Sequence, residues 1–502
     1  MLLQTVPSMR VTQIQRAMAL LFICSVPFWF SAPTLLDSYG QTEEGVNNAI
    51  WALGARNIIR NGLWRAKLGA VVTPFPGAGG GIYAHHPPLP IWASGLLQLV
   101  TDREYAPRVL ALVLVGVSLA LLFSILRQYV SEETSLLSVA LVTLSTFVLT
   151  YSRMLTTLTM ATPLFILLLR SVLRRARGES SWGIGTLLNI AALVFSSWDG
   201  VIGAATLVTA LSAIELRDAY RNHLPFGRWL RTLSPAVTFL LMLCLVFAYL
   251  INANGSAWEL LGVALWRGGV SEFPLRMLIR REIVYTGNGV GWATVALMAA
   301  AAVWGWQTPR GRQLLVATVL AAAPGLGMVM LFRNGALNHE FWGYNLFIPA
   351  AFGLAIVIER FKTNLPKPAT ICLLFVLGVQ GLLAMRASAS QLEREHQLNA
   401  LGTFLVRNFR NQRTDRVRLF WGYDFHPYIA WYLKLPHEVA YSGDDVRQKI
   451  ALGQWKAEDL VVTDNHIARY LDCKEFSSRF ESQNGYWSIT TASELEKSCP
   501  RS

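Results

Sequence analysis

The stretch that decides the topology of this chain is GIYAHHPPLPIWASGLLQLV, residues 81–100. It begins with two histidines and two prolines and then continues as a short apolar run over 89–101. Runs of roughly 10–14 apolar residues are more often interfacial or re-entrant than membrane-spanning. Whether this run crosses a membrane fixes the side on which every later loop lies.

Composition places the chain among polytopic α-helical membrane proteins. Of its 502 residues, 53% are hydrophobic and only 15% are charged, against roughly 25% charged residues in soluble proteins. Long apolar runs recur along the chain, and a lipid-exposed backbone must satisfy its hydrogen bonds internally. The net charge of +13 does not indicate nucleic acid, because the basic residues lie between apolar runs, where cytoplasmic loops carry them.

The apolar stretches predict about 11 spans, since a spanning helix needs roughly 20 mostly apolar residues. The fifth and sixth are short and are joined by SSWDG (196–200), which we predict as a tight hairpin. The predicted spans cover 17–36, 106–126, 133–151, 154–173, 183–198, 200–215, 232–252, 290–307, 312–332, 341–359 and 368–386.

Loop charge decides the orientation. If 89–101 does not cross, RSVLRRAR (170–177) and LRDAYRNHLPFGRWLR (216–231) fall on one side with nearly every other short basic loop. If it crosses, both become external, against the positive-inside rule. We therefore predict a multi-pass protein of the inner (plasma) membrane with a cytoplasmic N-terminus. Two amphipathic helices near 44–61 and 87–101 then belong to an outer loop, and the external segments are 37–105, 253–289, 333–340 and the tail.

Composition changes after Met385, where charges become frequent and apolar runs shorten. We predict a transmembrane domain over 1–386 and a small extracytoplasmic α/β domain over 387–502. Cys473 and Cys499 both lie in this tail, and the sequence leaves open whether they form a disulfide. The predicted strands are 416–422, 437–441, 458–464 and 486–490, and the predicted helices are 426–434 and 445–455.

Carboxylates cluster directly after the first predicted span, in DSYGQTEEGVNNAI (37–50). Asp37, Glu43 and Glu44 are candidates for a general base that deprotonates an acceptor hydroxyl. A solvated loop is the alternative for each one.

Basic groups gather in the same outer region. His85 and His86 are poor metal ligands as sequence neighbours, and we predict instead that they donate hydrogen bonds to a phosphate. Arg108 opens the next span, and Arg56 and Arg60 share one side of a helix at i, i+4. Headgroup snorkelling is the alternative for the last two.

Three further outer positions carry polar groups. Tyr83 precedes the histidines, and His339 and Glu340 lie in RNGALNHEFWGY (333–344) at the mouth of a predicted span. Asp199 lies in the predicted hairpin. We predict substrate contacts for these four, with an interfacial aromatic belt and a turn or cap as alternatives.

Taken in order, these elements resemble a known family. An acidic outer segment, ARNIIRNGLW (55–64), HHPPLPIW (85–92) and APRVLALVL (106–114) follow one another, and this order is similar to that of the GT-C integral-membrane glycosyltransferases. The resemblance is to dolichyl-phosphate-mannose–protein mannosyltransferases, including aminoarabinose transferase-like and Rgt-type members, over about residues 30–130. The chain departs at Thr162-Pro163, where many relatives place Asp-Pro.

The resemblance implies an inverting glycosyltransferase that takes a sugar from a polyprenyl-phosphate donor and gives it to an extracytoplasmic glycan, lipid or protein. Glu43 or Glu44, with Asp37 as the alternative, would be the base. His86 and Arg108 would stabilise the leaving phosphate, with His85, Arg56 and Arg60 as helpers. No metal ligand set is evident, and a divalent metal stays open. A transporter or lipid flippase, and a non-catalytic binder of lipid-linked sugars, stay as alternatives.

Overall fold

The structure of the protein is a computed structural model. It describes residues 6–40, 42–72, 82–179, 183–221, 226–268, 274–399, 403, 417–420, 431–432, 437–464, 468, 473, 480–481 and 487–499. The chain divides into two compact units, which are described separately. The helical unit comprises Met1–Leu35, Ala84–Ala93 and Pro107–Leu392, and the mixed unit comprises Leu36–Tyr83, Ser94–Ala106 and Glu393–Ser502.

Helices dominate the described residues. They are α1 Val6–Ser31, α2 Glu43–Asn61, α3 Leu89–Gln98, α4 Tyr105–Leu126, α5 Glu132–Thr143, α6 Thr146–Tyr151, α7 Thr157–Ala176, α8 Ile184–Ser196, α9 Trp198–Arg221, α10 Phe226–Asn254, α11 Ala257–Gly268, α12 Leu275–Val290, α13 Trp292–Trp306, α14 Pro309–Leu331, α15 Arg333–Asn338, α16 Phe347–Asn364, α17 Lys367–Leu398, α18 Gly443–Ala451 and α19 Ala492–Ser498. Short 3₁₀ turns cover Ala32–Thr34, Lys67–Gly69 and Glu340–Leu346.

Seven of the described helices are long and apolar enough to cross a membrane, or eight segments if α12 and α13, which meet at a bend of 101°, form one span. This confirms the predicted class of polytopic helical membrane protein, while the count of eleven spans stays a prediction. The predicted span 133–151 is divided between α5 and α6, because the Ser145 side chain accepts a hydrogen bond from Val148 N and starts a new helix. The ten residues of α3 extend about 15 Å, half of the roughly 30 Å hydrocarbon core, so α3 is too short to cross.

The core of the helical unit is α16. Every residue from 347 to 358 is buried, as expected for a helix that is apolar on all sides. It packs against α5, α13 and α14. Gly353 permits this close approach, because a Cβ there would lie 2.1 Å from the Met298 sulfur, and small residues at helix contacts are typical of membrane bundles.

The mixed unit contains the predicted small α/β structure. Its five-stranded sheet has the order β2-β1-β3-β5-β4, with β1 parallel to β2 and β3, and β5 antiparallel to β3 and β4. The strands are β1 Val417–Phe420, β2 His437–Ala440, β3 Leu460–Asp464, β4 Phe480–Glu481 and β5 Trp487–Thr491. Four correspond to predicted strands, and the two-residue β4 was not predicted. The predicted helix 445–455 is α18, while most of 426–434 lies outside the described residues.

The tail also packs on segments far from it in sequence. Tyr39 N donates to the Tyr432 hydroxyl at 2.6 Å, and the Thr42 hydroxyl donates to Asn399 Oδ1 at 3.2 Å. Residues 36–83 and 94–106 belong to this unit together with the tail, and the predicted domain boundary after residue 386 stays a prediction. Cys473 and Cys499 form a disulfide, which settles the alternative left open by the sequence.

Candidate functional site

The twelve residues singled out in the sequence divide evenly between the two units. The helical unit holds His85, His86, Arg108, Asp199, His339 and Glu340, and the mixed unit holds Asp37, Glu43, Glu44, Arg56, Arg60 and Tyr83.

In the helical unit, the loop before α3 is fixed by two side chains that bind its backbone. Trp198 Nε1 donates to the carbonyl oxygen of His85 at 2.8 Å, and Asn254 Nδ2 donates to that of Ala84 at 2.9 Å. The two prolines that follow suit the start of a helix, where a backbone N–H has no intrahelical partner. The beginning of α9 and the end of α10 therefore position the paired histidines.

Arg267, at the end of α11, contacts both histidines. Its Nη1 lies 3.0 Å from His86 Nε2, and its Nη2 lies 3.4 Å from His85 Nδ1. A guanidinium has donors only, so both ring nitrogens accept and both imidazoles are neutral. We predicted phosphate binding by His86 and Arg108, with His85, Arg56 and Arg60 as helpers, but the cation in this histidine–arginine cluster is Arg267.

The pKa shifts agree with this protonation state. Burial, and then the charge of Arg267, lowers the pKa of His85 to about 4. The same causes, with His85 as a further one, hold the pKa of His86 well below its usual range. Neither imidazole carries a charge at neutral pH, so the cluster has a net charge of one, on Arg267.

Among the described residues, no carboxylate pairs with the half-buried Arg267. Sequence reasoning missed this residue, although a signal was present. Arg267 ends the largely apolar segment AWELLGVALWRG (257–268), whose other ionisable residue is Glu259 in the first turn, and ionisable residues in an apolar segment of a membrane protein indicate function.

Aromatic rings connect the remaining candidates to the same end of the helical unit. The His339 ring stacks on Trp342 with centroids 6.1 Å apart, Trp342 packs on Phe332 at 6.0 Å, and Phe332 packs on Trp198 at 6.3 Å. Glu340 accepts a hydrogen bond from the Tyr151 hydroxyl. His339 is thus linked through two rings, Trp342 and Phe332, to Trp198, the residue that holds His85.

Asp199 is buried in the first turn of α9. Asn345 Nδ2 donates to its Oδ2 at 2.6 Å, and the Thr162 hydroxyl donates to Asn345 Oδ1 at 2.6 Å. A buried carboxylate requires such hydrogen bonds. Thr162, where the family resemblance leads us to expect Asp, is therefore linked to the Asp199 carboxylate through two hydrogen bonds, a connection that the sequence could not show.

Two fully buried arginines bind the backbone just after the end of α1. Arg108 Nη1 donates to the Leu35 carbonyl at 3.1 Å, and Arg153 Nη1 donates to the Thr34 carbonyl at 3.3 Å. Cations at a helix C-terminus are favourable, because the helix dipole places partial negative charge there. Arg108 was predicted, whereas Arg153 was not.

In the mixed unit, two of the three acidic candidates, Glu43 and Glu44, lie in the first turn of α2, and Asp37 precedes this helix. Thr42 caps this helix by accepting from Gly45 N at 2.9 Å. Glu44 is buried and accepts from the Asn48 amide, whereas Glu43 is exposed. Asp37 Oδ1 lies 2.8 Å from His396 Nδ1. The N-terminus of a helix favours negative charge, so both glutamates are placed where a carboxylate is stabilised.

Arg56 and Arg60, on the same helix, have structural partners within this unit. Arg56 Nη2 lies 3.1 Å from Asp102 Oδ1, and its guanidinium lies 3.3 Å from the centre of the Trp431 ring. Arg60 Nη2 lies 3.7 Å from Asp102 Oδ2. The Tyr83 ring contacts Trp51 edge-on, with centroids 5.8 Å apart.

A metal site would need several ligating side chains close together. Among the described residues, no group of three or more His, Cys, Asp or Glu side chains is placed to hold a metal ion.

Comparison with known proteins relates this geometry to a fold. A sequence model described as dolichyl-phosphate-mannose-protein mannosyltransferase matches residues 85–225. The matched segment begins at His85 and contains Arg108, Arg153 and Asp199. A comparison with curated protein sequences gave no match.

Two solved structures are similar over most of this chain. ArnT from Cupriavidus metallidurans bound to undecaprenyl phosphate is 11% identical, with 95% of this chain and 97% of that chain covered and a TM-score of 0.60. The archaeal oligosaccharyltransferase AglB from Archaeoglobus fulgidus, in complex with an inhibitory peptide and a dolichol-phosphate, is 10% identical, with 96% and 74% covered and a TM-score of 0.54.

The chain has the GT-C fold. This confirms the resemblance drawn from HHPPLPIW and its neighbours. In this GT-C chain the histidine–arginine cluster lies in the helical unit, and the acidic start of α2 lies in the mixed unit. At 10–11% identity the likeness defines the fold, and the chemistry must be argued from the side chains.

Proposed function

We propose that this protein transfers a sugar from a polyprenyl-phosphate-linked donor to an extracytoplasmic glycan, lipid or protein. The observation that carries the proposal is Arg267, held by the ring nitrogens of His86 and His85 at 3.0 and 3.4 Å. A cation whose described partners are neutral keeps its charge for an anion. The structures of ArnT and AglB contain lipid phosphates, which supports a lipid phosphate as that anion.

In this proposal, Arg267 binds the donor phosphate and stabilises the charge that grows on it as it leaves. Preorganised cations at a site of developing charge are among the largest contributions to catalysis. The neutral imidazoles fix the direction of the guanidinium and add no competing negative charge. Arg56 and Arg60 already pair with Asp102, so the phosphate is assigned to Arg267.

We assign the general base to Glu43 or Glu44, with Asp37 as the alternative. The acceptor oxygen attacks the anomeric carbon, and the bond between that carbon and the phosphate oxygen breaks with its electron pair leaving on phosphate. The acceptor proton passes to the carboxylate. Attack from the face opposite the phosphate inverts the anomeric centre. The burial of Glu44 and the exposure of Glu43 give the two carboxylates different environments, so they are tested separately.

We further propose that the chemistry takes place outside the cytoplasm, with the N-terminus inside and the tail outside. The disulfide between Cys473 and Cys499 supports this, because structural disulfides persist in oxidising compartments. The distribution of basic loops predicts the same orientation.

The test is binding of undecaprenyl phosphate to the purified full-length protein. Arg267→Gln is expected to weaken binding at least tenfold, because a charge-assisted hydrogen bond contributes roughly 1.5–3 kcal/mol. Arg276→Gln is the matched control, since Arg276 is exposed on α12 in the same loop. Equal affinity in the wild type and both variants would overturn the phosphate assignment. Mass spectrometry of envelope glycans, with and without the protein, then identifies the sugar and its acceptor.

A further inference from the structure

A second candidate site lies at the other end of the helical unit. An open cavity of about 450 Å³ is lined by the turn after α4, the junction of α13 and α14, and the end of α16. This volume lies within the range of small-molecule sites, roughly 300–1,000 Å³. Because α4, α14 and α16 are long and apolar enough to span, the cavity opens where helices end at a membrane surface.

The cavity is positively charged. Arg310 and Arg360 line it, and neither side chain has an ion-pair partner among the described residues. The acid in the lining, Glu359, is engaged elsewhere, since it accepts from the Thr134 hydroxyl at 2.5 Å and the Ser131 hydroxyl at 3.0 Å. Two arginines and the single carboxylate of Glu359 leave the lining with a net charge of +1, which favours an anionic group.

One part of the cavity wall is apolar and aromatic. Trp304, Leu314 and Ile356 line it, and the Trp304 ring packs edge-on against Phe361 with centroids 5.7 Å apart. Tryptophan is enriched where protein meets the lipid headgroups. A ligand with an anionic head and a hydrocarbon body fits this combination better than a free anion, which would leave the apolar wall uncovered.

The cavity is separate from the histidine–arginine cluster. α14 begins at the cavity with Pro309 and ends at Leu331, next to Phe332, whose ring packs on Trp198. Its 23 residues extend about 35 Å, roughly the thickness of a membrane. A group bound by Arg310 and Arg360 therefore takes no part in chemistry at His85, His86 and Arg267.

We infer that this cavity binds an anionic glycerophospholipid of the membrane leaflet at this end, with Arg310 and Arg360 on the headgroup phosphate and the apolar wall against the lipid body. Basic pockets between spans are typical sites for anionic headgroups. The inference does not depend on the proposed transferase activity, because no residue is shared between the two sites.

Native mass spectrometry of the purified full-length protein tests the inference. Phosphatidylglycerol and phosphatidylcholine with the same acyl chains are added at equal concentration, and the first bound lipid is compared. Since each arginine near the surface contributes about 1 kcal/mol to anionic lipid binding, we expect about 30-fold preference for phosphatidylglycerol in the wild type. Arg310→Gln with Arg360→Gln removes this preference, while Arg310→Lys with Arg360→Lys keeps most of it.

The matched control is Arg312→Gln with Lys367→Gln. Arg312 is exposed on α14, and Lys367 is exposed at the start of α17, so the control removes two charges outside the cavity and should keep the preference. If both glutamine pairs lost the preference for phosphatidylglycerol equally, the preference would come from the overall surface charge and not from the cavity. That result would overturn the inference. Displacement of the lipid by millimolar glycerol phosphate would overturn it too, because the ligand would then be a soluble anion. Elution volume and melting temperature check that each variant is folded.

Discussion

Two arginines, Arg56 in α2 and Arg267 in the last turn of α11, have opposite surroundings. Arg56 of the mixed unit meets the Asp102 carboxylate at 3.1 Å and the Trp431 ring at 3.3 Å. Arg267 of the helical unit meets two neutral imidazole nitrogens. The first cation is neutralised and packed, and so contributes to stability. The second is oriented while its charge stays uncompensated among the described residues, and so is suited to an anionic ligand. Residue type alone does not separate these two uses of arginine.

We expect the largest effect from replacing the glutamates at the start of α2. These variants test whether the mixed unit has a chemical role in addition to the structural role of Arg56. Glu44→Gln and Glu43→Gln are made separately and assayed for transfer from a polyprenyl-phosphate donor. Loss of a general base lowers rates by about 10²–10⁴, so one of the two variants should show such a loss. Glu259→Gln, an exposed position on α11, is the control. Full transfer by both variants would show that neither glutamate is the base.

The next effect is at Arg267 itself. Arg267→Gln is expected to lower the transfer rate by about 10²–10³, the usual loss when one donor to a developing charge is removed. Its melting temperature should change little, because the residue is half-buried and forms no described ion pair. A large drop in melting temperature with unchanged transfer would mean that Arg267, like Arg56, is a structural residue.

Arg56→Gln should behave in the opposite way. It removes a paired cation and its contact with Trp431, and we expect the free energy of unfolding to fall by about 2–3 kcal/mol. Burial lowers the pKa of Arg56, and the charge of Asp102 opposes this shift, with burial the larger cause. The buried Arg56 cation is therefore stabilised by Asp102. Chemical denaturation measured by circular dichroism gives the change. A variant as stable as the wild type would contradict the structural assignment.

The smallest expected effect is a pH dependence of stability. It should come from the paired histidines beside Arg267 and not from the surroundings of Arg56. The folded pKa of His85 is about 4, below an unfolded value of about 6.5. The unfolded chain therefore binds more protons between these values, and stability falls as the pH drops from 6.5 toward 4. Between pH 7.5 and pH 5 we expect a loss of about 1–2 kcal/mol from this histidine. The melting temperature of His85→Gln with His86→Gln should respond less to pH, and an equal response would show that other groups dominate.

The elements most accessible from sequence were those decided by local composition. The apolar runs predicted the class of fold, and short apolar runs in the tail predicted four of the five strands among the described residues. The ends of helices depend on side-chain capping, which the hydropathy of a segment does not show. The Ser145 cap, for example, divides the predicted span 133–151 into two helices. The site was accessible only in part. His85 and His86 were identified from their position, but Arg267 is 181 and 182 residues away from them in sequence.

The sequence by itself determined that this chain is a helical membrane protein with a small α/β tail. Both features follow from the hydrophobic pattern of short segments, which can be read from consecutive residues. The tertiary structure decided which charges meet. It paired Arg56 with Asp102, set Arg267 between two imidazoles, and linked Thr162 to Asp199 through Asn345. Electrostatic partners are chosen by distance in space over a few ångströms, and spacing along the chain carries no information about contacts formed by packing of distant helices.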